Sequence, residues 1–586
     1  MEEDDLQQAI VDDCLPRYPS NEPPKQVQVD AVKSLVHGRH TFVMAGTGCG
    51  KSRISEMYYN LFAKTKKAVI LVLNPLDALG DNQVKEKIAQ GYTAVNLKKL
   101  TFNQTVADDI EKGKYNFVYL SPEVFLNNQM FTDVYHNTKF QDRLALIVVD
   151  EAHMIYSWGL VSNKKAKKSS AHKRHQDRAV FRPSYGDLGR QLMTTEGTPI
   201  LFLSATCRPK AVREILKSLK IPEETVNFVR AELTRPEIRI LRFPMKSSLK
   251  SANDLLPMFG RKEDIKSSKI VPTLIYSGTR NATFQVMKVV NKARGTSGEE
   301  YNPDKDTING YEAGNFPCIS CTMALGLGQN WKRVRRVIHM GRGDPSCICQ
   351  MIGRCGRDGK PGLAVLFMER KRKFGLNSPE AIARADRESD DVRMDSFAIT
   401  PVCLRIAISV DNLYGYIPMD HNDLNYIREE AREEEEGFPT CRCSNCAPEE
   451  AKLLMAKMKE MNIKLSPLMQ NLTSTLVDQF NKFFADLYGK SRSFFPGQIF
   501  GPTEADAIAR NFDKVNSKSD IVDLIGSEQL DGELNMLDNC IKNFKEGTDY
   551  QSYLKDQEDY ETFIGDEMER IQNLKKAGLK KNLRTR

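Results

Sequence analysis

Short, almost purely apolar runs recur along the first two thirds of the chain, separated by helix-length segments of mixed polarity. Such runs are typical of parallel strands buried on both faces, because a half-exposed strand alternates apolar and polar residues instead. Alternating strands and helices predict repeated βαβ units and therefore an α/β fold. Two of the intervening helices are expected at 83–90 and 282–292. The strands are expected in two blocks, at 41–44, 69–73, 117–120, 144–149 and 200–203, and then at 273–276, around 319, 337–340 and 363–367.

The organisation of the chain changes twice along its length. Pro236 interrupts the pattern before the second block of strands begins, which places a boundary there. The buried-strand pattern stops beyond about residue 370, and helix formers then dominate. The predicted segments are an acidic segment at 1–24, two parallel-sheet domains in tandem at 25–235 and 236–398, a small subdomain at 399–448, a helical C-terminal region at 449–573 and a basic tail at 574–586.

The composition of the 586 residues is that of a globular protein, with 40% hydrophobic and 28% charged residues. No run of about 18 apolar residues occurs, so we expect no membrane-spanning helix and no membrane partner. The first thirteen residues carry six acidic side chains and neither Lys nor Arg, which does not fit an export or transit leader. The 13 cysteines are sparse and odd in number, which favours a reducing compartment and makes clustered cysteines candidate metal ligands.

Charge is concentrated in a few segments. The net charge is +8, yet residues 160–182 alone carry eight Lys or Arg against one Asp. A basic patch confined to one segment indicates that this segment contacts a polyanion. Residues 429–436 contain six Glu and one Arg and predict a solvated helix face or loop.

The candidate chemistry begins where the first predicted strand ends. Residues 45–52 read Ala-Gly-Thr-Gly-Cys-Gly-Lys-Ser and form a phosphate-binding loop between a strand and a helical stretch. Glycines let successive backbone N–H groups converge on phosphates, and the helix N-terminus beyond adds a favourable dipole. Lys51 is expected to neutralise the β- and γ-phosphates, and Ser52 to ligate Mg²⁺. The expected nucleotide-binding residues of the loop are Gly46, Thr47, Gly48, Cys49, Gly50, Lys51 and Ser52.

A pair of carboxylates, Asp150 and Glu151, directly follows the predicted strand at 144–149. The carboxyl ends of parallel strands meet at one edge of a sheet, so Asp150 can reach the same Mg²⁺ while Glu151 polarises the attacking water. The alternative is an ordinary solvated loop. Together with the phosphate loop, the pair predicts Mg²⁺-dependent hydrolysis of a nucleoside triphosphate.

Further motifs follow in a fixed order. Asp-Glu-Ala-His at 150–153, Ser-Ala-Thr at 204–206 and Gln-Met-Ile-Gly-Arg-Cys-Gly-Arg at 350–357 resemble a superfamily 2 helicase with a DEAH box. More narrowly, the chain resembles the RecQ family of DNA helicases, particularly the RecQ-like proteins of fungi, from about residue 25 to 370. That resemblance rests on Lys25 and Gln28 ahead of Gly38-Arg39, and on the segments at 74–76, 120–123, 158–159, 181–183, 235–236, 277–280, 322–328 and 337–339.

The resemblance implies two RecA-like domains that bind Mg-ATP between them, with 3′-to-5′ movement on single-stranded DNA and unwinding of tailed duplex DNA. Gln28 would recognise adenine together with Lys25, which stands where the family usually has Arg. Arg354 and Arg357 would reach the γ-phosphate from the second domain, with Gln350 at the same interface, unless either arginine is buried in a structural ion pair. The residues implied to couple DNA binding to hydrolysis are His153, Trp158, Arg182, Ser204, Thr206, Arg280 and Thr322.

Both tryptophans of the chain lie in motifs. In the family, the segment from Trp158 to Arg182 is an aromatic-rich loop that senses single-stranded DNA, and aromatic faces stack on unpaired bases. Trp158 is therefore a candidate for stacking, with core packing as the alternative, whereas Trp331 is expected to pack in a core. Unlike the family, this chain inserts the basic residues 160–180 here. The insertion has three interpretations: a flexible loop, a nuclear import signal at 164–168, or a clamp on DNA phosphates.

Cys403, Cys441, Cys443 and Cys446 resemble the zinc subdomain that follows the motor in RecQ helicases. Four thiolates suffice for a closed tetrahedral zinc site. Cys441 and Cys443 are closer than the family's spacing, but residues two apart in an extended backbone share a face. Inert buried thiols are the alternative. Cys318 and Cys321 are expected to pack within the second sheet.

Two departures from the family bear on coupling: a family element is missing around Tyr301, and Asn330 stands where Asp is usual. The alternatives to a DNA helicase are an RNA helicase and a nucleic-acid translocase or annealing protein without processive unwinding. DNA as the partner and the basic clusters predict a nuclear location.

Overall fold

A computed structural model describes residues 3–18, 22–156, 192, 197–262, 265, 269–296, 307–326, 331–462, 467–489, 495–512, 515–555, 558, 559 and 562. The chain divides into two compact units. The first comprises Met1–Ala252, Val271–Val286 and Ile308–Leu453, and the second comprises Asn253–Ile270, Met287–Thr307 and Leu454–Arg586.

The first unit contains a seven-stranded, all-parallel sheet. Its central strands are built mainly from Val, Ile, Leu and Phe and are buried on both faces, which is the arrangement that continuous apolar runs predict. In sheet order, the strands are β3 (Ala94–Leu97), β4 (Phe117–Leu120), β2 (Val69–Leu73), β5 (Leu144–Val149), β6 (Ile200–Ser204), β1 (His40–Met44) and β7 (Val226–Arg230).

A second parallel sheet of five strands lies in the same unit. Trp331 is buried in its core and packs against Tyr311 with ring centroids 5.0 Å apart, as predicted. Cys321 is buried in the same core on the strand that also holds Cys318. In sheet order, the strands are β10 (Cys318–Cys321), β9 (Thr273–Tyr276), β11 (Arg336–Met340), β12 (Gly362–Met368) and β8 (Ile238–Pro244).

Helices connect and follow these strands in both units. In chain order they are α1 (Glu3–Cys14), α2 (Gln26–Val36), α3 (Arg53–Asn60), α4 (Asp77–Ala89), α5 (Gln104–Glu111), α6 (Pro122–Asn127), α7 (Gln129–Tyr135), α8 (Thr138–Gln141), α9 (Pro209–Leu219), α10 (Arg280–Arg294), α11 (Thr307–Glu312), α12 (Met323–Gly326), α13 (Pro345–Ile352), α14 (Pro379–Ala383), α15 (Asp390–Ile399), α16 (Leu404–Tyr414), α17 (Leu424–Glu435), α18 (Pro448–Asn462), α19 (Pro467–Tyr488), α20 (Pro502–Arg510), α21 (Lys518–Ile525) and α22 (Glu533–Glu546). Short 3₁₀ turns lie at Lys64–Lys66, Glu223–Thr225, Asn253–Met258 and Pro496–Gln498.

The acidic N-terminal segment contains helix α1, which buries Leu6, Ile10 and Cys14 in the core on one side of the first sheet. These three residues recur at four-residue spacing and form one apolar stripe. The acidic side chains of α1 therefore belong to a packed, amphipathic element of the first unit.

The prediction of a solvated face for the glutamate run at 429–436 was wrong for two of its members. Glu429 and Glu433 are buried on α17. Glu433 binds the Arg405 guanidinium, with Oε2 2.6 Å from NH2, and Glu429 binds Arg432 at 2.6 Å. A carboxylate is buried only when its charge is matched, and charge count along the sequence does not show which members have such partners.

The described C-terminal residues form a helical region in the second unit, with a core that α19 to α22 share. Leu476 and Phe480 of α19 are fully buried there, as are Ile508, Ile521 and Leu537 from the three following helices. No helix among the described residues is long and apolar enough to cross a membrane.

The α/β fold class is confirmed, and the nine strands predicted from apolar runs all occur. Three strands, β3, β7 and β8, were missed. All three lie at sheet edges and contain half-exposed positions, so their sequences lack the continuous apolar run on which the prediction relied.

Candidate functional site

The phosphate loop joins β1 to α3 and needs glycine at several positions. Gly48 and Gly50 adopt φ values of 87° and 81°, in the left-handed region that side chains disfavour. A Cβ atom at Gly50 would lie 2.7 Å from the Gln28 Nε2 atom, and one at Gly46 would lie 2.9 Å from a backbone carbonyl oxygen. The glycines thus let the backbone turn tightly, and the N–H groups of Gly46 and Cys49 donate to the carbonyl oxygens of Glu232 at 3.0 Å and Gly46 at 3.3 Å. In a loop of this shape, the other N–H groups can converge on phosphates.

Lys51 is half-buried at the base of this loop. Its Nζ atom donates to the carbonyl oxygens of Ala45 at 2.7 Å and Gly46 at 3.2 Å. Burial lowers the pKa of Lys51, although the charges of Glu151 and Asp150 act in the opposite direction. A buried ammonium held mainly by carbonyl dipoles gains from an arriving anion, which suits it to bind phosphate.

Asp150 and Glu151 leave the carboxyl end of β5, as the sequence predicts. Asp150 accepts hydrogen bonds from Gln83 Nε2 at 3.0 Å and from the backbone N–H of Glu151 at 2.9 Å. Burial raises the pKa of Asp150, and the charge of Glu151 raises it further. Glu151 has a φ of 49°, so the backbone is strained at this point.

Glu151 is held as a charged carboxylate. Burial works to raise the pKa of Glu151, but its electrostatic interactions with His153, Arg354 and Lys51 outweigh burial and lower that pKa. Its buried Oε2 accepts no hydrogen bond from any residue that the structure describes, although His153 Nδ1 lies 3.4 Å away. A charged, buried acceptor with this spare capacity can bind and orient a water molecule.

The segment after α13 of the second sheet contacts the phosphate loop directly. Thr47 Oγ1 donates to the Gly353 carbonyl oxygen at 3.0 Å. Arg235, in the connection between the two sheets, donates from NH1 to the Thr47 carbonyl oxygen at 3.3 Å, and from NH2 to the carbonyl oxygens of Cys355 at 3.1 Å and Gly356 at 2.9 Å. Arg235 therefore ties both halves of the site together, a role that the sequence analysis did not predict.

The charges of Arg354 and Arg357 act on ionisable groups at the phosphate loop. Both guanidinium groups lower the pKa of Glu151, and the charge of Arg357 also acts on Lys51. Burial lowers the pKa of Arg357 itself to about 9, with a further contribution from Arg354. The two cations are thus placed where an anionic ligand would compensate their charges.

A hydrogen-bonded chain joins the DEAH segment to the second sheet. Gln350 Nε2 on α13 lies 2.6 Å from His153 Nε2 and 2.8 Å from Thr206 Oγ1. His153 Nδ1 lies 3.1 Å from Ser204 Oγ at the end of β6. Burial lowers the pKa of His153, which favours the neutral ring. Because Gln350 donates, the His153 proton is assigned to Nδ1. Four predicted residues therefore form one network.

Sequence reasoning missed Arg208, a buried residue just after this network. Its guanidinium binds the Asp390 carboxylate, the Glu388 carbonyl oxygen at 2.6 Å and the Tyr156 hydroxyl at 2.8 Å. Asp390 begins α15 and also accepts from Arg393 at 3.0 Å. Only its partners in the folded structure distinguish Arg208 from an exposed arginine, so the sequence around it did not predict its burial.

Arg393 is almost fully buried among acidic partners from three helices. It binds Asp344, which caps the N-terminus of α13, at 2.9 Å, and Asp411 on α16 at 2.6 Å. Although burial opposes its charge, the carboxylates of Asp411 and Asp344 raise the pKa of Arg393. The helix that carries Gln350 is thereby fixed to the helix that follows Cys403.

The four predicted cysteines converge. The Sγ atoms of Cys403, Cys441, Cys443 and Cys446 all lie within 4.8 Å of one another, and those of Cys443 and Cys446 are 3.5 Å apart. Tetrahedral zinc with Zn–S bonds of about 2.3 Å requires sulfur separations of roughly 3.8 Å. The backbone N–H of Leu404 also donates to Cys443 Sγ at 3.4 Å, as expected of a thiolate acceptor. The donor set fits a structural zinc ion.

The other predicted residues belong to the phosphate-loop side of the site or to the second sheet. The Lys25 N–H donates to Gln28 Oε1 at 2.8 Å, and Gln28 Nε2 donates to the Gly50 carbonyl oxygen at 2.9 Å. Arg280 begins α10 and Thr322 follows β10, both at the carboxyl edge of the second sheet. The sites predicted at Trp158, Arg182, the insertion 160–180, Tyr301 and Asn330 fall outside the described residues.

Comparisons with known proteins find similarity to helicases. The profile of DEAD/DEAH box helicases matches residues 25–215. ATP-dependent DNA helicase RecQ of Haemophilus influenzae is 26% identical over 398 residues, which cover 65% of this chain and 58% of that protein. Probable ATP-dependent DNA helicase RecS of Bacillus subtilis is 25% identical over 360 residues, covering 58% and 64%. The chain is similar to the RecQ helicases.

This finding confirms the resemblance given by the motifs. The chain spans less than two thirds of the length of these two relatives. Among solved structures, S. cerevisiae Dbp5 bound to RNA and ADP BeF3 matches with a TM-score of 0.48 and 16% identity, covering 73% of this chain and 98% of that chain. The two parallel sheets themselves establish the RecA-like fold.

Replacing Gln350 with Ala tests the hydrogen-bonded network of Gln350, His153, Ser204 and Thr206. We expect ATP hydrolysis to fall at least about tenfold, because the bonds from Gln350 to His153 and Thr206 are lost. Affinity for a fluorescent ATP analogue should stay within about threefold, since the described side-chain hydrogen bonds of Gln350 go to His153 and Thr206. Gln129→Ala, on the exposed face of α7, is the matched control. Equal loss of affinity and turnover would contradict a role in coupling.

Proposed function

We propose that this protein is an ATP-dependent DNA helicase that couples hydrolysis of Mg-ATP to 3′-to-5′ movement on single-stranded DNA and to duplex unwinding. The observation that carries the proposal is the contact of Thr47, in the phosphate loop, with Gly353, next to Arg354. This contact brings functional residues from two separate sheets into one site. The names of the relatives, which are ATP-dependent DNA helicases, support DNA as the substrate.

The proposed roles follow from the geometry. Lys51 would exchange its carbonyl partners for the β- and γ-phosphates. Glu151, with its spare buried oxygen, would orient the attacking water and accept its proton. Ser52 and Asp150 offer the oxygen ligands that Mg²⁺ prefers, and the ion would supply positive charge at the phosphates.

The second sheet supplies the remaining charge. Arg354 and Arg357 would stabilise the charge that develops on the γ-phosphoryl group, as arginine fingers do in related reactions. Because both arginines follow α13, hydrolysis would require the two sheets to be closed together. Loss of the γ-phosphate would remove the anion that these arginines share with Lys51. Opening of the sheets would then follow, and repeated closure and opening would move the protein along a strand.

A pair of tailed duplexes tests direction and coupling together. With ATP, the protein should unwind a duplex with a 3′ single-stranded tail and leave the 5′-tailed duplex intact. Lys51→Ala should abolish unwinding, and Glu151→Gln should lower ATP hydrolysis by about 100-fold. Asp142→Asn, at an exposed carboxylate before β5, is the charge-matched control.

Three results would overturn parts of this proposal. Unwinding of the 5′-tailed duplex alone would reverse the direction. Stimulation of ATP hydrolysis by single-stranded RNA but not by DNA would assign an RNA substrate. Unwinding that survives in Lys51→Ala would remove the motor function altogether.

We also infer a structural zinc ion bound by the four clustered cysteines, on the basis of the sulfur distances. The purified protein should contain about one zinc per chain by mass spectrometry of the metal. Cys443→Ala should lose the metal and unfold at a lower temperature, because the remaining thiols cannot close a tetrahedral site. Cys540→Ala, a half-buried cysteine on α22, should retain it. A metal-free wild-type protein with four titratable thiols would support inert thiols instead.

We further propose a nuclear location, supported by a DNA substrate and by the basic residues at 164–168. A fluorescent fusion of the full chain should accumulate in nuclei. Replacing the four lysines of 164–168 with Ala should shift it to the cytoplasm. A wild-type fusion that stays outside nuclei would refute the proposal.

A further inference from the structure

The loop of residues 369–377, which we call the β12 loop, leaves the carboxyl end of β12 and presents an aromatic side chain to solvent. Phe374 is 93% exposed and has a φ of 62°. Left-handed backbone is unfavourable for a bulky residue, and an exposed phenyl ring loses the benefit of burial. Both the backbone conformation of Phe374 and the exposure of its ring are energetically unfavourable, so the surrounding structure must hold the residue there.

A buried charge cluster holds the loop from below. Asp395 of α15 is completely buried and accepts from Arg342 at 2.9 Å. It also binds Arg372 of the loop through two bonds, of 2.9 and 2.6 Å. The backbone N–H of Leu376 donates to the same carboxylate at 2.8 Å. Two arginines and one aspartate thus anchor both sides of Phe374.

Further bonds fix the loop backbone itself. The Arg342 guanidinium donates to the carbonyl oxygens of Glu369 at 3.0 Å, Arg370 at 3.0 Å and Leu376 at 3.2 Å. The Asn377 amide donates to the Arg372 carbonyl oxygen at 3.0 Å and accepts from the Arg372 N–H at 2.8 Å. With its carbonyls satisfied by buried groups, the loop keeps one shape and cannot fold Phe374 inward without breaking these bonds.

Exposed cations lie close to Phe374 in the β12 loop. Arg370, Lys371 and Lys373 are all exposed, and Lys373 Nζ lies 5.1 Å from the centre of the Phe374 ring. A flat apolar face with adjacent cations matches an unpaired base joined to its phosphates. A protein partner fits less well, because lysine is depleted in the cores of protein–protein contacts.

We propose that the β12 loop is a binding site for single-stranded nucleic acid, in which Phe374 stacks on a base and Lys371 and Lys373 contact flanking phosphates. This inference rests on the proposed function, because it adds a contact for the strand on which the motor would move. It concerns the carboxyl edge of the second sheet and uses none of the residues of the basic insertion at 160–180.

Tryptophan at position 374 offers a direct test. The full chain carrying Phe374→Trp and Trp158→Phe would report from position 374 above the background of the buried Trp331. Adding dT20 should quench this fluorescence, because a stacked base contacts the indole ring. Val271→Trp in the same background is the control, since Val271 is 45% exposed at the amino edge of the second sheet and should not be quenched. An rU20 titration distinguishes DNA from RNA.

Affinity provides a second, independent readout. Phe374→Ala should weaken dT20 binding, measured by fluorescence anisotropy, at least about fivefold, which is the lower end of the range for one base stack. Lys371→Ala with Lys373→Ala should reduce the slope of log K against log salt by about 1.4, since each single-strand phosphate contributes about 0.7. Lys64→Ala with Lys66→Ala is the matched control, because Lys66 also lies near an aromatic ring, 5.0 Å from that of Phe62.

The outcomes separate this inference from the proposed function. Quenching at position 374 together with weaker binding by Phe374→Ala supports the site. If the wild-type protein binds dT20 and unwinds DNA, but position 374 is not quenched and Phe374→Ala binds equally well, the loop serves another class of ligand and the inference is wrong while the helicase proposal stands. If the wild-type protein binds neither dT20 nor rU20, both fail.

Discussion

The hydrogen bond from Thr47 to the Gly353 carbonyl oxygen marks the place where two independently packed sheets become one chemical site. Each sheet has its own apolar core, so neither needs the other in order to bury its strands. The phosphate loop and the carboxylates belong to the first sheet, whereas Gln350, Arg354 and Arg357 belong to the second. Hydrolysis of the kind proposed here therefore depends on contacts that cross from one sheet to the other.

The described contacts that complete this site are largely polar. They include the bond of Thr47 to Gly353, that of Gln350 to His153 and the ion pair of Arg208 with Asp390. Each polar contact contributes only about 1 kcal/mol net, because water replaces it when it breaks. A surface held in this way can separate for a few kcal/mol, which is within reach of the binding energy of a nucleotide. The apolar cores of the two sheets stay intact during such a movement.

The sequence predicted the parts of the fold and of the site that short patterns encode. Continuous apolar runs identify central strands, and the phosphate loop and Asp150-Glu151 follow such runs directly. The edge strands β3, β7 and β8 lack that pattern because one side of each is half exposed. Arg208, Arg393 and Glu433 were missed for a different reason. Their burial and partners come from residues distant in the chain, and a lone charged residue in a sequence most often lies on the surface.

The backbone of Glu151 has a consequence for how this protein can change. Its φ of 49° is comfortable for glycine or asparagine and costs other residues about 1–2 kcal/mol. Selection for thermal robustness alone would replace this glutamate with one of those two residues. The left-handed backbone of Glu151 thus lowers stability at the end of β5, and in return it orients the charged carboxylate oxygen. Variants isolated only for tolerance to heat would be expected to lose that oxygen before they lose the surrounding architecture.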